Sequence, residues 1–118
     1  MDITERRKSK RLKVKDDSLV VHGNGSGSIG QVVDIGHGGI AFHYIGQSHP
    51  LDDFLKLSVR QEGRTLQMEN IQVKTVSDFE IIYDNPIQQI PLRRRGVKFG
   101  ILSAQQIKQL ETLIHLQE

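Results

Sequence analysis

Apolar and polar residues alternate with a period of two along most of the chain, which is the pattern of half-buried β-strands. The clearest example is the run Phe-Leu-Lys-Leu-Ser-Val-Arg at residues 54–60. Between such runs lie segments rich in Gly, Asn, Asp and Pro, which are typical of turns. The pattern predicts strands over residues 18–21, 29–35, 39–45, 54–60, 64–68, 71–76 with a possible continuation through 79–83, and 94–102.

A helical period is confined to the end of the chain. Ile107, Leu110 and Ile114 recur at the spacing of one helix face, and Ser103 precedes a glutamine three residues later in the register of a capping box. We therefore predict one amphipathic helix at about 103–117. Several short strands and one terminal helix together predict an all-β fold, a small antiparallel barrel with the helix packed against it.

The chain has 118 residues, which is the size of one domain. Residues 1–15 hold seven Lys or Arg against two acidic residues, a net charge of +5, whereas residues 16–118 carry −3. The first segment contains too few apolar residues to order itself, so we expect a flexible basic arm over 1–15 and a barrel over 16–118. Such an arm favours an anionic partner.

Several functional classes are excluded or disfavoured. Cysteine is absent, so the chain has no disulfide, no thiolate metal site and no cysteine nucleophile. The five histidines lack metal-ligand spacing, and we find no nucleophile beside a base. No apolar run approaches the ~18 residues of a membrane span. We therefore expect a cytoplasmic, non-enzymatic protein with no metal, no cofactor and no membrane insertion.

Two segments carry candidate binding chemistry, and the first is the arm with Arg6, Arg7 and Arg11. A guanidinium is planar and permanently charged, so it can grip phosphate oxygens, hydrogen-bond the O6 and N7 edge of guanine, or stack on a purine. Taken alone, the same arginines fit a solvated basic tail or nonspecific binding to nucleic acid better than a specific site.

The second segment is the turn Asp34-Ile-Gly36-His37-Gly-Gly39, between two predicted strands. Its glycines permit positive φ angles and a close approach of the backbone to a ligand, and the aspartate can accept hydrogen bonds from guanine N1 and N2. His37 is able to hydrogen-bond a phosphate. Taken alone, the segment also fits an ordinary tight turn.

The order of the two segments resembles the PilZ domain family. Arg7 and Arg11 match its Arg-x-x-x-Arg motif, and Asp34, Gly36 and Gly39 match its [Asp/Asn]-x-Ser-x-x-Gly motif. The sequences Gly-Ile-Ala-Phe after the turn and Arg-Gly-Val-Lys-Phe near the end also resemble family strands, so the similarity spans nearly the whole chain.

The resemblance implies a six-stranded β-barrel that holds cyclic di-GMP between the arm and the turn. It implies that Arg7 and Arg11 contact phosphate and guanine, that Asp34 contacts a guanine edge, and that a further arginine, Arg6, favours two ligand molecules over one. Gly36 departs from the family because it replaces the motif serine. The lost hydroxyl hydrogen bond is expected to cost ~0.5–1.5 kcal/mol of binding free energy.

On this interpretation the protein is a receptor or adaptor that orders its arm on binding cyclic di-GMP and signals to a separate, unidentified protein. Two alternatives stay open at this point: a barrel that binds RNA or single-stranded DNA, and a degenerate PilZ adaptor that binds only protein. Nucleic acid is disfavoured because the chain has just six aromatic residues, and three of them, Phe42, Phe54 and Phe99, fall at strand positions that look buried. A second basic cluster, residues 93–95, is divided by strand alternation, which sends Arg94 to the face opposite Arg93 and Arg95.

Overall fold

A computed structural model describes residues 11–14, 19–23, 29–46, 54–61, 63–82 and 91–118. These residues form seven strands and one helix. The elements are β1 (Arg11–Lys13), β2 (Leu19–Gly23), β3 (Ile29–Gly36), β4 (Gly39–Ile45), β5 (Phe54–Gln61), β6 (Arg64–Ile81), β7 (Leu92–Phe99) and α1 (Ala104–Leu116).

The strands form a closed antiparallel barrel. Around the wall the order is β3, β2, β5, β6, β7 and β4, and pairing of β4 with β3 completes the circle. The extra strand β1 lies beside the end of β3, next to residues 34–36. The predicted fold, a six-stranded antiparallel barrel with one C-terminal helix, is confirmed, with β1 as an addition that falls inside the predicted flexible arm.

The strands differ from the prediction in three features, two of them boundaries and one a burial. Residues 64–81 form one continuous strand of 18 residues, where the pattern indicated separate runs. The last strand was predicted to extend to residue 102 but ends at Phe99. Ile101 therefore lies outside the strand and is exposed. Phe54, at a strand position that looked buried, is also exposed, because it lies at the first residue of β5.

A one-residue bulge in β3 determines which side chains face the core. Val32 pairs with Phe42 and Asp34 with Ala41, which leaves Val33 as an extra residue between them. The bulge changes the alternation, so that Val32 and Ile35 are both buried while Asp34 lies on the other face of the wall. Below, this face opposite the core side chains is called the outer face.

The core inside the barrel consists mostly of branched aliphatic side chains, and one face of the helix packs against it. Its strand residues are Leu19, Val21, Val32, Ile35, Ile40, Phe42, Tyr44, Leu55, Leu57, Val59, Met68, Ile71, Val73 and Val97, and its helix residues are Leu110, Leu113 and Ile114. The second bulge of the barrel lies in β6, where Asn70 has a φ of 52°. It keeps both Met68 and Ile71 buried.

The helix begins as predicted. Ser103 Oγ accepts from the backbone N–H of Gln106, and the Ser103 N–H donates to the Gln106 side chain, which is a complete capping box. The same glutamine donates its amide N–H groups to the carbonyls of Glu69 and Asn70, which attaches the helix start to the bulge in β6. Ile107, which was expected on the packed face, is about half exposed.

No helix in the described ranges is both long and apolar enough to span a bilayer.

One polar cluster lies on the inner face of β4, β6 and β7. A third bulge, at Val76, places Asp78 opposite Arg95, and the Asp78 carboxylate accepts from Arg93 at 3.0 Å and from Arg95 at 2.6 Å. Tyr44 donates its hydroxyl to the same carboxylate at 2.6 Å. The Arg95 guanidinium also lies 5.1 Å from the ring centre of Tyr44, and only 3% of the residue is exposed. Asp78 therefore neutralises a buried cation.

Replacing Asp78 with alanine should destabilise the barrel strongly, because it leaves the Arg95 charge buried without its carboxylate. Breaking a buried ion pair in this way costs ~3–5 kcal/mol. Urea unfolding measures the loss, with Glu69→Ala as the control: this acidic side chain lies on the same strand but is exposed, and its removal should change stability by less than ~0.5 kcal/mol. Equal effects of the two substitutions would contradict a structural role for the cluster.

Candidate functional site

Two arginines from distant parts of the chain bind one carboxylate on the outer face. Arg11 Nη1 lies 3.1 Å from Asp34 Oδ1, and Arg94 Nη2 lies 2.7 Å from Asp34 Oδ2. The side chains are 22% exposed for Arg11, 14% for Asp34 and 34% for Arg94. The cluster is thus partly shielded from water and still accessible from outside.

Strand β1 brings Arg11 to this position. Leu12 pairs with Ile35 and packs against the core, while Arg11 and Lys13, on either side of it, pair with Gly36 and Asp34. Alternation therefore sends both basic side chains to the outer face. Leu12, together with Val14, which also packs against the core, thus determines where the cation of the arm meets the carboxylate of β3.

Arg94 reaches Asp34 from β7. Its paired residues are His43 on β4 and Phe79 on β6, and strand alternation separates it from its neighbours Arg93 and Arg95, which bind Asp78 on the inner face. The predicted division of this basic cluster is confirmed. The hydrogen bond to Asp78 raises the pKa of Arg93 above its ordinary value, which stabilises the charged form.

The glycines of the turn do not supply the positive φ angles that were expected of them. Gly36, Gly38 and Gly39 do not adopt positive φ, which among the described glycines is found at Gly46 and Gly63. A Cβ at Gly39 would lie 2.1 Å from the Val97 carbonyl oxygen, so this glycine permits the close approach of β4 to β7. Gly36 ends β3 opposite Arg11.

His37 contacts the C-terminal helix. Its Nε2 lies 2.6 Å from Glu111 Oε1, and both side chains are about half exposed. An exposed pair of this kind contributes little to stability because water competes for both partners. The contact nonetheless links the turn to α1.

The environment of His43 favours its neutral form. Burial lowers the pKa of His43 below the ordinary value of 6.5, and the positive charge of Arg94 lowers it further. The histidine therefore adds no positive charge to the cluster at neutral pH. It stands beside Arg94 as a neutral polar group.

The structure brings together part of the predicted site. Arg11, Asp34, Gly36, His37 and Gly39 all lie at the junction of β1, β3 and β4, whereas Arg6 and Arg7 lie outside the described residues. Arg94 was not among the predicted site residues, because the pairing of β7 with β4 cannot be read from local periodicity. The alternation in residues 93–95 was the one available signal.

The cluster can bind an anion together with a hydrogen-bond donor. Two guanidiniums share one carboxylate, so a positive charge remains in excess, and each arginine has N–H groups beyond the one that Asp34 accepts. Each carboxylate oxygen has two acceptor positions, so Asp34 can still accept from a ligand. In the described part of the chain, no three His, Asp or Glu side chains are grouped as they would be to hold a metal ion.

Comparison with known proteins shows the fold. No family model and no curated protein sequence matches the chain. The chain is similar to the PilZ domain, with c-di-GMP, of YcgR from Escherichia coli, over 95% of this chain and 91% of that one, with a TM-score of 0.64 and 15% sequence identity. It is also similar to MrkH, a c-di-GMP-dependent transcription regulatory factor, with a TM-score of 0.62 and 15% identity over 93% of this chain. It spans 50% of the MrkH chain. The chain therefore has a PilZ-like fold.

Because its folded-state pKa is lowered, His43 contributes stability that is present above about pH 6.5 and is lost as pH falls through the lowered value. The His43→Gln variant should therefore lose less thermal stability than the wild type between about pH 7.5 and about pH 5.5. His115→Gln, at an exposed position on α1, is the control and should behave as the wild type. Identical pH profiles for all three proteins would contradict the assignment.

Proposed function

We propose that this protein is a non-enzymatic receptor module for cyclic di-GMP. The observation that carries the proposal is the contact between Arg11 and Asp34, which lie 23 positions apart in the chain and belong to the two motifs identified from the sequence. They meet on the outer face of a barrel with a PilZ-like fold, and the similar YcgR structure is one with c-di-GMP. Motif order, contact and fold thus support the same ligand.

In this proposal the ligand binds between the arm and the turn. Arg11 donates to a phosphate oxygen or to guanine O6 and N7, and Asp34 accepts from guanine N1 and N2. Arg6 and Arg7 are proposed to close over the nucleotide from the same side as Arg11. Binding would order the arm and change the surface offered to a separate downstream protein in the cytoplasm.

His37 is the least supported of the proposed ligand contacts. Glu111 already lies within hydrogen-bond distance of its imidazole, so a phosphate would have to displace this carboxylate or bind the other ring nitrogen. Displacement would separate the turn from α1. This is one route by which binding could alter the helix.

Calorimetric titration with cyclic di-GMP, beside GTP, cyclic di-AMP and a short RNA, tests the proposal. We expect selective binding of cyclic di-GMP, weakened roughly tenfold or more by Arg7→Ala, Arg11→Ala or Asp34→Asn, because each removes a charge-assisted hydrogen bond of ~1.5–3 kcal/mol. Arg64→Ala removes an exposed arginine at the start of β6 and should leave the affinity unchanged.

The other functions give different results in the same titration. No heat with any nucleotide would overturn the receptor proposal and favour an adaptor that binds only protein. Equal binding of RNA and cyclic di-GMP, with a steep dependence on salt, would favour a nucleic-acid-binding barrel.

Restoring the family serine provides a separate test of the turn. Gly36→Ser should tighten cyclic di-GMP binding by up to roughly tenfold, because a hydroxyl at this position can add one neutral hydrogen bond. The titration is repeated with the variant, and thermal unfolding reports whether the new side chain disturbs the pairing with Arg11. An unchanged affinity in a stably folded variant would show that the hydroxyl has no role here.

A further inference from the structure

Arg94 is separate from the structural arginines that precede and follow it in the chain. Arg93 and Arg95 bind Asp78 on the inner face, where Arg95 is 3% exposed. Arg94 projects from the opposite side of the same strand, and its side chain is 34% exposed. Its charge is therefore accessible from the outside of the barrel while it pairs with Asp34.

Among the described residues around Arg94, positive charge exceeds negative charge. Asp34 carries one negative charge and is bound by both Arg11 and Arg94, and Lys13, paired with Asp34 on β1, adds a further positive charge. Arg94 is paired with His43 on β4 and with Phe79 on β6. Burial and the charge of Arg94 keep His43 neutral, and Phe79 carries no charge. This surface is complementary to an anion with more than one negative charge, such as a dinucleotide with two phosphates.

The guanidinium is held in place and still has free donors. Nη2 of Arg94 donates to Asp34, and within the described ranges this is the one hydrogen bond of its side chain. The other N–H groups remain for a ligand. Because Asp34 already orients the guanidinium, binding would lose less side-chain entropy than an arginine on a flexible arm would.

We propose that Arg94 is a further ligand-binding residue, which contacts a phosphate of the bound dinucleotide from the barrel wall. The inference rests on the proposed function and extends its site from β1 and β3 to β7. The ligand would then lie between a cation of the arm, Arg11, and a cation of the wall, Arg94, with the Asp34 carboxylate between them.

Titration of Arg94 variants with cyclic di-GMP at low and high KCl tests this assignment. Arg94→Ala should weaken binding roughly 10- to 100-fold, as expected for loss of a charge-assisted hydrogen bond, and should reduce the dependence of affinity on salt. Arg94→Lys keeps the charge without the forked donors, so it should recover part of the affinity and retain the salt dependence. Arg64→Ala, with the same loss of charge at a distant exposed position, should match the wild type.

A second comparison separates direct contact from positioning of Asp34. In an Asp34→Asn background, Arg94→Ala should weaken binding again if Arg94 contacts the ligand, and should have no further effect if it acts only through the carboxylate. The latter result, or an Arg94→Ala affinity equal to that of the wild type, would overturn the assignment while leaving the receptor proposal intact.

Two remaining outcomes are also decisive. If the wild-type protein itself fails to bind cyclic di-GMP, the proposed function fails, and the role of Arg94 fails with it. If thermal unfolding shows that Arg94→Ala is not folded, Arg94→Lys decides: an affinity below that of the wild type with the salt dependence retained supports the contact of the forked guanidinium, and an affinity equal to that of the wild type overturns it.

Discussion

One extra residue in β3, Val33, determines on which side of the barrel wall the Asp34 carboxylate lies. Regular alternation would place Asp34 on the same face as the core residues two positions away, where a lone carboxylate would be costly. The bulge moves it to the outer face without removing its neighbours from the core. A matching bulge at Val76 has the opposite result, since it places Asp78 on the inner face. The arginines of β7, residues 93–95, then bind one carboxylate on each side.

The same ion-pair chemistry has different consequences on the two faces. Inside, Arg95 is 3% exposed, so water cannot replace the Asp78 carboxylate, and the cluster holds β4, β6 and β7 together. Outside, Asp34 and the arginines that bind it are partly solvated, and their contacts can be exchanged for those of a ligand. The exposure of the arginines therefore distinguishes the two clusters: the side chain of Arg95 is 4% exposed and that of Arg94 is 34% exposed, whereas Asp78 and Asp34 are 13% and 14% exposed.

Local patterning predicted the strands well where one face of each is buried. The observed ranges agree closely with the predicted ones for β3, β4, β5 and the capped helix. In each of these elements one face packs against the core, so the spacing of apolar residues follows the period of the strand or helix. The predictions were wrong where position in the barrel overrides local character, as at Phe54 and Ile101, which are apolar but lie beyond the packed part of the wall. The continuity of β6 was also missed, because its bulges interrupt the period of two.

The amino-acid sequence was sufficient to predict the fold class and to associate the arginine arm with the Asp34 turn, because both depend on residue types at short spacing. It could not show that Arg94 lies 2.7 Å from Asp34, since the two are 60 positions apart and meet through the registers of β3 with β4 and β4 with β7. Nor could it show that Gly39 is needed against the Val97 carbonyl instead of for a left-handed turn. Those registers are determined when the barrel closes, because in a closed barrel every strand must pair with two neighbouring strands at once.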